Sequence, residues 1–84
     1  SHVPLRDVFY KQQRYQEAVL IQEEIVRGID SSGFALHRRA VYYAHLAALY
    51  QKAGQREKAR ETALKVLQLD PGRRSEVEAF LKIL

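Results

Sequence analysis

The stretch from Phe34 to Ala53 contains neither glycine nor proline, and from Ala40 to Ala53 its only strongly polar residues are His45, Gln51 and Lys52. A helix that is apolar on almost every side has to be flanked on almost every side. This requirement constrains the 84 residues more than any other feature. The chain must surround one central helix with several others.

The flanking segments are built to do so. Pro4 suits a first helical turn, and Leu5, Val8 and Phe9 recur at helical spacing, which predicts a short helix over about 5–13. From Gln16 to about Ile29, residues Ala18, Ile21, Ile25 and Ile29 lie three or four apart and predict an amphipathic helix buried along that stripe. Asp30-Ser31-Ser32-Gly33 collects turn residues, with Gly28 weakening the helix end just before them. Gly54 ends the central helix. A fourth helix then runs to about Leu69, with Ala59, Ala63, Val66 and Leu67 as its buried stripe. Asp70-Pro71-Gly72 stops it, because proline cannot continue a helix and disfavours helical geometry in the residue before it. Val77, Phe80, Leu81 and Leu84 mark a fifth helix over about 74–84. Period-two alternation is never sustained, so the expected fold is all-α, a single domain over 1–84.

The segment from Ala40 to Pro71 resembles the tetratricopeptide repeat (TPR). It reads Tyr43-x-x-Leu46-Ala47-x-x-Tyr50, then Gly54, Ala59 and Ala63, and ends Leu67-x-Leu69-Asp70-Pro71. Ala47 replaces the usual glycine, and Ala63 stands where the family prefers an aromatic residue, which thins that contact. Upstream, Phe9, Arg14-Tyr15, Glu17-Ala18 and Ile25-Val26 parallel Tyr50, Gln55-Arg56, Lys58-Ala59 and Val66-Leu67. Ala18 and Ala59 are 41 residues apart, against a usual period of about 34, and the excess of seven is two helical turns. One extra turn on each helix beside the Asp30–Gly33 break accounts for it. Val77, Phe80, Leu81 and Leu84 fall 34 residues after Tyr43, Leu46, Ala47 and Tyr50. The resemblance therefore implies a first, partial repeat over 5–29, a second over 34–71, and a capping helix or the start of a third over 74–84. Antiparallel helix pairs of this kind stack into a right-handed superhelix.

Candidate chemistry is sparse. Without cysteine there is no disulfide framework, no thiolate nucleophile and no zinc-thiolate site. His37 and His45 are eight apart, too far for a two-histidine metal pair on one helix, and the serines sit in turns or at a helix start where capping is their ordinary work. Glu23-Glu24 and Glu76-x-Glu78 point in different directions and read as solvated surface. No catalytic residue, cofactor or metal is expected. The net charge is +4, with eight Lys and Arg against five acids in residues 40–84 and six against five in 1–39. Acids interleave with the bases and no aromatic-plus-basic stacking motif accompanies them, so nucleic-acid binding ranks well below protein binding. No apolar run approaches the ~18–20 residues of a bilayer span, and neither membrane insertion nor a signal peptide is expected. The expected setting is cytoplasmic. Methionine is absent even at residue 1, so the chain is expected to belong to a longer protein, with Ser1-His2 as a tag-cleavage remnant.

The resemblance implies a non-enzymatic interaction module, a scaffold or adaptor. The first helix of each repeat lines a concave groove suited to a partner's peptide or helix. The groove-lining positions it assigns are Val41, Ala44, Ala48, Gln51 and Lys52. Three are apolar and none is asparagine, which departs from the basic-plus-Asn clamp by which some co-chaperone members grip a C-terminal carboxylate. Gln51 and Lys52 suit a partner carrying an acidic residue beside its apolar anchors. The rival expectation is self-assembly into homo-oligomers through open repeat ends.

Overall fold

The computed structural model describes residues 14–84. Four α-helices and one short 3-10 turn follow in order: α1 (Tyr15–Ser31), α2 (Leu36–Lys52), α3 (Arg56–Leu69), the turn Pro71–Arg73 and α4 (Arg74–Lys82). The helix expected over 5–13 lies outside the described residues. Among those described there is no strand. Each helix packs on its neighbour in sequence, α1 on α2, α2 on α3 and α3 on α4.

Two turns are built on glycines in the left-handed region, Gly33 at φ 75° and Gly54 at φ 80°. At the end of α2 the Gln55 amide donates to the Tyr50 carbonyl at 2.9 Å and the Gly54 amide to that of Gln51 at 3.1 Å. This pair of bonds is the Schellman ending, and it requires a residue tolerant of positive φ at position 54. Gln16 reinforces it from α1: its Nε2 donates to the Ala53 carbonyl at 3.1 Å, and its Oε1 accepts from Gln55 at 2.8 Å. Gly28 does not terminate α1. The helix runs on to Ser31, with Ser31 and Ser32 hydroxyls bonding the Arg27 and Gly28 carbonyls.

The core has two halves joined through α2. One gathers Ala18, Val19 and Val26 of α1 around Leu46, Leu49 and Tyr50 of α2, with Ala59 of α3. The other gathers Ala40 and Ala47 of α2, Ala63 and Val66 of α3, and Val77 of α4. The central helix is thus flanked on more than one side, as its composition demands.

The buried row of α1 differs from the expected one. Ala18 is fully buried, but its companions are Val19, Gln22 and Val26, while Ile21, Ile25 and Ile29 are only half-buried. Gln22 has no exposed surface, and its Nε2 donates to the Tyr42 carbonyl of α2 at 3.0 Å. Periodicity counts glutamine as polar and so turns the expected face toward the isoleucines. A hydrogen bond to the neighbouring helix is what allows the amide to be buried.

Ala47 and Ala59 mark two separate close approaches. The turn at Gly54 sets the antiparallel register, so Ala59, five residues beyond it, meets the cluster of Tyr50, four residues before it. Ala63, nine beyond, meets that of Ala47, seven before. Ala59 retains no accessible surface. Replacing it with leucine forces extra methylenes between packed helices and should cost about 1–3 kcal/mol. Thermal denaturation should show Tm falling by about 4–8 °C for each kcal/mol in a domain of this size. An unchanged midpoint for Ala59→Leu would contradict this packing.

Candidate binding groove

The backbones of α2 and α4 stay apart, each packing against α3 instead. Between them lies a cavity of about 220 Å³. Ala44 and Ala47 of α2 form one wall, and Ala63 and Val66 of α3 form the floor. Val77 and Phe80 of α4 close the far side, where Glu76 contributes the one charged side chain of the lining. The cavity exists because three alanines face a space that larger side chains would fill.

Of the five residues assigned to the groove from sequence, Ala44 alone lines this cavity. Val41 and Gln51 are half-buried, while Ala48 and Lys52 are exposed. All five share the α2 face that carries Ala44: Val41, Ala44, Ala48 and Gln51 follow one another at three or four residues, and Lys52 lies four after Ala48. The residues not assigned are Ala47, Ala63 and Val66 beneath and the three α4 side chains opposite. Ala63 did carry a signal, as an alanine where the repeat pattern has an aromatic. The α4 wall had none, because sequence spacing does not say where α4 leaves the turn.

Glu76 is held at the rim. Its Oε2 accepts from Arg73 Nη1 at 2.9 Å, and its side chain remains 69% exposed. Arg73 is shared with Asp70 at 3.4 Å, and the Asp70 carboxylate also accepts the Gly72 amide at 3.2 Å.

Elsewhere on α2 the chemistry is polar. Tyr43 donates its hydroxyl to Asp30 and Tyr50 donates to Glu23, both acceptors on α1. Lys65 lies 6.0 Å from the Tyr43 ring and Lys58 lies 5.8 Å from the Tyr50 ring, both from α3. Arg39 adds an ion pair to Asp30 at 3.6 Å. None of these groups converges on a nucleophile or on a vacant acid–base pair. Among the described residues no three of His, Cys, Asp and Glu gather to hold a metal ion, and no helix is long and apolar enough to cross a membrane.

Burial, and then the hydrogen bond to Asp30, pushes the Tyr43 phenol up from its ordinary 10 to about 12. Burial and the bond to Glu23 raise Tyr50 as well. A folded-state value above the unfolded one means that this stabilisation is complete below pH 10 and is lost as pH climbs from 10 through about 12. Alkaline titration followed by tyrosine absorbance and circular dichroism should show these two phenols ionising late and together with loss of helix. Tyr43→Phe should remove part of that pH dependence. Ordinary ionisation of both tyrosines with the helices intact would contradict it.

No protein-family model matches the chain, no curated protein matches it, and no solved structure matches it.

Proposed function

We propose that this chain is a tetratricopeptide-type interaction module, a non-enzymatic scaffold or adaptor that binds a peptide or helix of a partner protein in the groove between α2 and α4. The observation that carries the reading is the apolar cavity of about 220 Å³ set among three helices, with alanines on its wall and floor. An apolar recess of this size, open to solvent and set among three helices, offers a place where another group can pack. The helix lengths support the repeat reading: α1 and α2 have 17 residues each against 14 for α3, in keeping with an added turn beside the Asp30–Gly33 break. The small-residue contacts at Ala47 and Ala59 and the glycine-ended turn at Gly54 support it further.

A second reading is self-assembly. It is favoured by exposed apolar side chains, Ile83 at the end of α4 and Leu20 on α1. Light scattering across micromolar concentrations separates the two, because a monomer at every concentration removes self-assembly.

Ala48 is exposed and Ala44 half-buried, so a carboxylate at either position leaves the core largely intact while charging the cavity wall at Ala44 or the same α2 face beside it at Ala48. Proteins retained by the wild-type chain should be lost on Ala44→Glu and on Ala48→Glu, with helical content and Tm near wild type. Retention by both folded variants would place binding on another surface.

A further inference from the structure

We propose that the cavity between α2 and α4 takes a single phenylalanine side chain of a partner peptide, with a lysine or arginine beside it that pairs with Glu76. This rests on the groove reading above and adds the chemistry of the anchor. Size decides the first part. Pockets for drug-sized ligands run to about 300–1,000 Å³, whereas an apolar cavity of about 150 Å³ already holds benzene. At about 220 Å³ the recess suits one ring and little more. Phe80 on the α4 wall favours an aromatic guest, because ring pairs add an oriented attraction to simple burial.

Charge decides the second part. Although the chain is basic as a whole, and the turn with α4 carries three carboxylates against three cations over 70–82, the one charged residue that lines the cavity is Glu76. Arg73 bonds one of its oxygens, and the other has no partner among the described residues. Lys52 and Gln51, which from sequence suited an acidic neighbour, are not part of the lining. The complement of this rim is therefore a cation.

The test uses N-acetylated dipeptide amides of Phe-Lys, Phe-Glu and Ala-Lys, titrated into the isotopically labelled chain and followed by amide chemical shifts. Phe-Lys should shift Ala44, Ala63, Val77 and Phe80, and should bind roughly tenfold or more tighter than Ala-Lys through burial of its ring. Phe-Glu should bind roughly two- to fivefold more weakly than Phe-Lys, the usual worth of an exposed ion pair, and Glu76→Gln should erase that difference. Ala44→Leu should fill the cavity from its half-buried wall and abolish Phe-Lys binding, with Tm near that of wild type. If that variant misfolds, Ala44→Val narrows the same space with a smaller side chain and should weaken Phe-Lys binding. Equal binding of Phe-Lys and Ala-Lys within the groove, or a preference for Phe-Glu, overturns the anchor chemistry and leaves the groove reading standing. Shifts confined to other surfaces, or no shift with any of the three peptides, overturn both.

Discussion

Everything in this fold depends on how closely α2 and α3 approach. Ala47 and Ala63 are each 3% exposed and Ala59 is fully buried, so the seam between the helices is made of methyl groups. Side chains this small lose little conformational entropy on burial, and they let the two backbones come near enough for longer side chains to meet across the seam. Lys65 and Lys58 of α3 come within 6.0 and 5.8 Å of the Tyr43 and Tyr50 rings in this way. Val77 and Phe80 reach the seam from α4. A leucine in the seam would separate the helices and leave both sets of contacts out of range.

The polar contacts of α2 repeat with a spacing of seven. Glu23 and Asp30 on α1, Tyr50 and Tyr43 on α2, and Lys58 and Lys65 on α3 are all seven residues apart, about two helical turns. The order reverses on α2, as antiparallel packing requires. Each layer therefore runs acid, phenol, ammonium across three helices. Slipping one helix by a turn would leave a partly buried phenol without an acceptor, which is expensive, so the layers act as a register lock that non-directional apolar contacts alone would not provide.

The elements were readable from the sequence, the orientation of their faces less so. Helix positions followed from Gly54, Pro71 and the spacing of apolar residues, and the composition of the central segment required neighbours on several sides. α1 was turned wrongly because Gln22 looks like surface until Tyr42 supplies an acceptor, and three isoleucines outvoted it. The partnering of Ala47 with Ala63 was hidden for a different reason: a family pattern names positions, while the register of an antiparallel pair is set by the geometry of the turn. At the groove, Ala44 was legible on its own helix face. Glu76, Val77 and Phe80 were not, since they enter from an element whose departure angle depends on a charged turn.

That turn ties the cavity to the rest of the molecule. Asp70 accepts the Gly72 amide and pairs with Arg73, and Arg73 reaches forward to Glu76 in the first turn of α4. Pro71 cannot extend α3, so the chain must turn here, and these contacts select how it turns. Two walls of the cavity belong to the tightly packed α2–α3 pair, while the third is carried by α4, which packs on α3 and on this turn but has no backbone contact with α2. The width of the cavity is thus set jointly by Val77, buried against the α2–α3 pair, and by three charged groups at the turn, Asp70, Arg73 and Glu76. Glu76 is both one of those groups and the one charged residue of the cavity lining, so the turn that positions α4 also sets where the carboxylate at the lip stands.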